Sequence, residues 1–251
     1  MSPNHAQLGD KLKEISHISP SLLNSFNTCP LRFKYGSEDL AKIEVDTDRL
    51  EYGLEIHKKI QDYMNKVRND ISPKEIEGLC RQTFGEGSKF VRKDVAEKVK
   101  QNFLDFEIRR KERFKVFKPT MTEEKLGAHL FKDLPPFVCI VDAYWKEDKT
   151  CINWKTGSGV QIEDYHLIQG KIEKMILESW GFPVERYWFV CLGNGKTLEL
   201  PSITDGWIKN KCDELMSCIK NDLFQKRQSK LCEWCESQLR CSFDGDCLWL
   251  I

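Results

Sequence analysis

Phe137-Val138-Cys139-Ile140-Val141-Asp142-Ala143-Tyr144-Trp145, the turn Glu147-Asp148-Lys149, and Thr150-Cys151-Ile152-Asn153-Trp154-Lys155-Thr156-Gly157 form the stretch on which the fold turns. Both flanking runs are apolar and rich in β-branched and aromatic residues, and the polar turn between them predicts an antiparallel hairpin. Successive strand residues point to opposite faces, so Asn153 and Lys155 share one face and Trp154 takes the other. Asp142 then lies on the strand beside Asn153.

Downstream, a helix is expected from about 162 to 180, then an apolar strand over Tyr187–Leu192, the Gly193-Asn194-Gly195 turn, a short strand over Thr197–Leu200 and a last helix from about 203 to 225. Upstream, Ser19-Pro20 reads as an N-cap and first helical residue, with Leu22, Leu23, Phe26, Cys29 and Phe33 on one side of the helix that follows. A second helix is expected over about 51–67, with Leu54, Ile56, Ile60, Met64 and Val67 as its apolar stripe. From Ser72-Pro73 to about Arg113 the chain reads as helical throughout, an insertion rather than part of the sheet. The order gives an α/β class, one mixed sheet flanked by helices.

With 251 residues, 40% hydrophobic and 31% charged, the chain can bury a proper core and fits a single domain, with about 70–115 as helical insertion and about 228–251 as a cysteine-rich tail. No apolar run approaches the roughly 20 residues a membrane span requires, and Met1-Ser2-Pro3-Asn4-His5 does not begin a signal peptide. A cytoplasmic protein without membrane attachment is expected. Its eleven cysteines then read as core thiols and metal ligands rather than a disulfide framework. The formal net charge is zero, which argues against wholesale coating of nucleic acid. The basic runs Arg92–Lys100 and Arg109–Lys115 are interleaved with Val95, Val99, Phe103 and Phe106, as on the solvated faces of amphipathic helices.

Hydrolysis of a phosphodiester with a divalent metal needs oxygen ligands for Mg²⁺ or Mn²⁺ and a cation to steady charge developing on the phosphate. Asp142, position 153 and Lys155 have that arrangement, and the Trp154 backbone carbonyl offers one more oxygen. Taken alone, an aspartate near a hairpin is usually a turn or edge residue. Cys232, Cys235 and Cys241 lie close together at the far end, without a nearby fourth ligand, while Cys29 stands by itself at the front. Four thiolates suit zinc as well as an iron–sulfur cluster.

Several separated motifs resemble the RecB-like, iron–sulfur-containing branch of the PD-(D/E)XK nucleases, which includes AddB-type nuclease domains and CRISPR-associated RecB-like exonucleases. Ser19 to Phe33, through Cys29-Pro30, is similar to that family's opening helix with its first cluster cysteine. Gly53-Leu54-Glu55-Ile56-His57 is similar to a glycine-to-histidine motif, and Asn153-Trp154-Lys155-Thr156-Gly157 to an Asp-Trp-Lys-Thr-Gly motif. Gln169 stands where the family carries a helix glutamine, and Cys232, Cys235 and Cys241 match its terminal trio.

The resemblance implies a restriction-endonuclease-like core and a metal-dependent DNA nuclease, an exonuclease acting on single-stranded or free ends. His57, Asp142, Asn153 and Trp154 would hold Mg²⁺ or Mn²⁺, with Asp142, Asn153, Lys155 and Gln169 forming the catalytic set. Cys29, Cys232, Cys235 and Cys241 would hold a structural 4Fe-4S cluster, with Zn²⁺ the alternative. Protein partners in recombination, repair or CRISPR adaptation are further implications. Three departures stand out: Asn153 replaces the motif acid, Cys139 replaces a common glycine, and Glu173 replaces a frequent tyrosine four residues after the glutamine. The first points to a weakened or inactive enzyme. A non-catalytic DNA-binding or complex-forming module and a zinc-stabilised interaction protein are the competing expectations.

Overall fold

The computed structural model describes residues 15–37, 48–85, 87–158 and 161–229, together with 232, 233, 235, 237 and 241. The first five residues and Cys247 lie outside them. Two compact units make up the chain: Met1–Asp46, His129–Val138 and Thr204–Ile251 in one, Thr47–Ala128 and Cys139–Ile203 in the other.

In the first unit, helix α1 (Pro20–Thr28) starts as expected, the Ser19 hydroxyl accepting from Leu22 N at 3.1 Å. It ends before Cys29, whose backbone is extended at φ −160° and ψ 110°. Helix α2 (Pro30–Ser37) then begins afresh. Cys29 is therefore a junction residue, not a helical one as its apolar spacing suggested. The residue before a proline is driven out of the helical region by clash with the ring, and Pro30 supplies that clash. Phe26 and Phe33 still meet edge-to-face at 5.8 Å across the break. Helix α7 (Asp205–Asn221) packs on α1 and stops at Asp222, which takes a left-handed turn, short of the expected end.

The second unit holds α3 (Asp48–Lys66), α4 (Pro73–Phe84), α5 (Lys93–Arg113), β1 (Met121–Ala128), most of β2 (Phe137–Trp145), β3 (Thr150–Lys155), α6 (Asp164–Ser179), β4 (Arg186–Cys191) and β5 (Lys196–Glu199). The strands form one mixed sheet in the order β1-β2-β3-β4-β5. β2 and β3 pair antiparallel, with Ala143 opposite Ile152, while β3 and β4 run parallel, with Asn153 opposite Phe189. Helix α6 makes the crossover that parallel strands require.

Strand alternation divides the side chains. Ala143, Trp145, Ile152, Trp154, Val190 and Leu192 join one core cluster with α3, α4 and α5. Phe103 and Phe106 of α5 meet Trp154 at 5.3 and 5.2 Å. On the opposite face, α6 approaches closely at Gly170, where a Cβ would lie 3.0 Å from Leu200 and 3.2 Å from Phe189. That close approach brings Gln169 down to the sheet.

Three local expectations change. The stripe of α3 is Tyr52, Ile56, Ile60, Tyr63 and Met64, and Leu54 is 58% exposed, because the tyrosines take the inward positions. The 72–113 stretch is two helices, broken where Gly85 adopts φ 62°, a conformation open to glycine at little cost. Arg110 is not on a solvated face but fully buried: it donates to both carboxylate oxygens of Glu107 at 2.8 and 2.6 Å and to the Phe117 carbonyl at 2.7 Å. Its guanidinium also lies 4.0 Å from the Phe117 ring centre and 4.4 Å from that of Trp145.

Candidate metal and catalytic centre

The site lies on the α6-facing side of the sheet, with His57 reaching it from α3. Asp142 on β2 is 5% exposed, and its Oδ2 accepts from the backbone N–H of Trp154 at 2.8 Å. Extending the β2–β3 register by one step sets Asp142 across from Asn153. Burial, with Glu123 adding to it, pushes the Asp142 carboxyl up to about 6 against the opposing pull of His57, Lys155 and the Trp154 amide.

His57 reaches the centre from α3. Its Nδ1 is 3.1 Å from Glu123 Oε1 and 3.7 Å from Asp142 Oδ2. Burial opposes a charged ring, but the Glu123 hydrogen bond and the two carboxylates outweigh it and hold the His57 pKa above its usual value. Gly53, one turn earlier, comes within 3.9 Å of Thr156 Oγ1 at its would-be Cβ, which brings α3 beside the end of β3.

Glu123 was not expected from the sequence. It sits within β1 at φ 51°, a left-handed conformation that costs a non-glycine residue about 1–3 kcal/mol. The carboxylate it presents to His57 is the gain. Among the described residues, His57, Glu123 and Asp142 are the group of three or more such side chains whose ligand atoms converge within 4.8 Å. The faint signal was the Glu123-Glu124 pair inside an otherwise strand-like run after Pro119.

Asn153 is 1% exposed, and neither its amide oxygen nor its amide nitrogen has a hydrogen-bond partner. Leaving such a group unpaired costs about 1–3 kcal/mol, so a buried orphan calls for an explanation. A cation beside Asp142 would pair the amide oxygen, and the NH₂ would still need an acceptor. Two carboxylates and an amide oxygen are hard donors of the kind that suit Mg²⁺ or Mn²⁺, and the imidazole is a borderline one, although Asn153 brings no charge. The residues present therefore fit a divalent ion.

Lys155, next on that face, donates to Gln169 Oε1 at 2.7 Å and lies 5.6 Å from the Phe189 ring centre. Burial lowers its pKa, against the attraction of Asp142 and Glu173. Gln169 in turn donates from Nε2 to Glu173 Oε1 at 2.8 Å, and Tyr187 donates to Glu173 Oε2 at 2.5 Å. The structure thus brings His57, Asp142, Asn153, Lys155 and Gln169 together. Trp154 contributes its backbone there, while its indole is buried against α5.

The four remaining predicted ligands, Cys29, Cys232, Cys235 and Cys241, fall in the first unit, each half-buried. Backbone N–H groups point at two of the sulfurs: Arg227 N at Cys29 Sγ, 3.5 Å, and Ser229 N at Cys232 Sγ, 3.4 Å.

Residues 17–242 match the model of the PD-(D/E)XK nuclease superfamily. The chain belongs to that superfamily. The fold is accordingly the PD-(D/E)XK nuclease fold, and the candidate metal centre lies on its mixed sheet. A search of curated proteins found no match. The chain is similar to the crystal structure of a "putative exonuclease" from Eubacterium rectale, with a TM-score of 0.46 and 12% identity over 94% of this chain and 92% of that one. That likeness is too distant to carry function. Among the described residues, no helix is long and apolar enough to cross a membrane.

Proposed function

We propose that this PD-(D/E)XK nuclease is a divalent-metal-dependent exonuclease acting on single-stranded DNA ends, and that Asn153 keeps it weak. The observation that carries the reading is the convergence of His57 from α3, Glu123 from β1 and Asp142 from β2 within 4.8 Å, with Lys155 on the strand that pairs with β2. With Asn153, these residues would hold Mg²⁺ or Mn²⁺. The Trp154 carbonyl is a further oxygen within the same motif.

The ion, when bound, supplies Lewis-acid polarisation of the phosphate and a more acidic water. The protein does the rest. Trp154 N–H orients the Asp142 carboxylate, whose oxygens keep lone pairs that would hold the ion. Gln169 holds Lys155 in place, and the ammonium donates to phosphate oxygens as negative charge builds on them. Asn153 supplies an oxygen without its charge, which loosens the ion and slows the reaction. The same substitution supports a second reading, a DNA-binding module that has lost cleavage.

A 4Fe-4S cluster on Cys29, Cys232, Cys235 and Cys241 belongs to this proposal. Arg227 ties the tail to the front segment: its guanidinium donates to the Asn27 carbonyl and to Glu214, both at 2.6 Å, while its own amide points at Cys29. N–H groups aimed at sulfur stabilise thiolate ligands.

The substrate claim is tested with end-labelled single-stranded DNA against a closed single-stranded circle, in Mn²⁺, using the Asn153→Asp protein. Stepwise shortening of the linear strand with an intact circle is expected. Nicking of both at equal rates would make the enzyme an endonuclease.

A further inference from the structure

The face of the sheet behind Lys155 carries a buried carboxyl that the proposed chemistry does not use. Glu173 is 1% exposed, one turn beyond Gln169 on α6. Its two oxygens are each engaged by a different donor, Gln169 Nε2 at 2.8 Å and Tyr187 Oη at 2.5 Å. A buried acid on an apolar interface is costly unless both oxygens are satisfied, and here both are.

Gln169 has an oxygen and an NH₂ group that differ only in hydrogen-bonding sense. Lys155 can only donate, so the Gln169 oxygen must face it at 2.7 Å and the NH₂ must find an acceptor elsewhere. Glu173 is that acceptor. Tyr187, on β4, anchors Glu173 from the sheet, so the orientation is set from two elements.

We infer that Glu173 is a positioning residue: it fixes the Gln169 carboxamide, through which it holds Lys155 toward the scissile phosphate. The inference rests on the nuclease reading above. Burial, with the charge of Asp142, pushes the Glu173 carboxyl up to about 8. Leucine there would relieve that burial cost but leave Gln169 Nε2 and Tyr187 Oη without an acceptor, so stability and kcat are read separately.

The test uses the Asn153→Asp protein with Glu173→Leu and with Glu173→Gln. Leucine should lower the melting temperature and leave single-stranded DNA binding of the folded protein unchanged, while kcat falls about tenfold to a hundredfold. Glutamine retains an acceptor for Gln169 and should rescue most of that loss. In the metal-free proteins, the Gln169 side-chain NH₂ resonances should be protected from exchange with Glu173 or Gln at 173, and lose protection with Leu. Unchanged kcat in the leucine variant, or unchanged Gln169 protection, would overturn the inference. Absence of cleavage by Asn153→Asp itself would instead overturn the nuclease reading, and the NH₂ signal would still decide whether Glu173 holds Gln169.

Discussion

Trp154 N–H donates to Asp142 Oδ2 at 2.8 Å across the β2–β3 hairpin. The strand that presents Lys155 therefore also orients the buried carboxylate of its neighbour. Movement of β3 would disturb both groups together. The Trp154 indole, wedged against Phe103 and Phe106 on the opposite face, holds that strand in place.

Lys155→Ala separates chemistry from binding. Cleavage by the Asn153→Asp protein should fall about a hundredfold to a thousandfold, the scale of losing one donor to transition-state charge. Affinity for single-stranded DNA should change little, because distributed phosphate contacts supply most of it. Filter binding and cleavage assays on the same strand check this; parallel loss of both would make Lys155 a general DNA contact.

The stability of the metal-free protein should fall with rising pH. Burial is the largest cause of the raised pKa values of Asp142 and Glu173, about 6 and about 8 against ordinary values of 3.8 and 4.5. Their neutral forms are favoured in the folded state, so stability is fullest below the ordinary values and is lost as pH rises through the folded ones. His57, also raised, acts in the same direction. Melting temperatures from about pH 5 to about pH 9 should decline, and Glu173→Gln should remove the upper part of the decline. A melting temperature that rises over that range would contradict these environments.

Iron content tests the cysteine proposal. Protein purified without oxygen should be brown and carry about four irons per chain, as one 4Fe-4S cluster does. Cys29→Ala should lose iron as fully as Cys235→Ala. Stoichiometric zinc in place of iron, or full iron in Cys29→Ala, would contradict it.

The hairpin was legible because apolar strand runs and a polar turn leave few alternatives, and with it the placing of Asp142, Asn153 and Lys155. Gln169 could be found only through the family motif, since its partner Lys155 meets it through the crossover. Glu123 was hidden: Thr122-Glu123-Glu124-Lys125 reads as a wet strand, and its φ of 51° leaves no mark in the sequence. Arg110 deceived by composition, because a long basic run conceals one arginine whose acid, Glu107, is one turn earlier on the same buried face. The junction at Cys29 was legible in principle. Pro30 outweighs apolar spacing there, a local steric rule against a periodic trend.

Position 153 decides the account. An aspartate there would add a charged ligand across from Asp142, where the present amide is buried and unpaired. The direct measurement is Mn²⁺-dependent cleavage of end-labelled single-stranded DNA by the chain as it stands and by Asn153→Asp, side by side. The aspartate form should cut faster by on the order of a hundredfold, the scale of restoring one charged catalytic group. Full-rate cutting by the asparagine form, with the aspartate form no faster, would show that position 153 is not a metal ligand and would contradict this placement of the site.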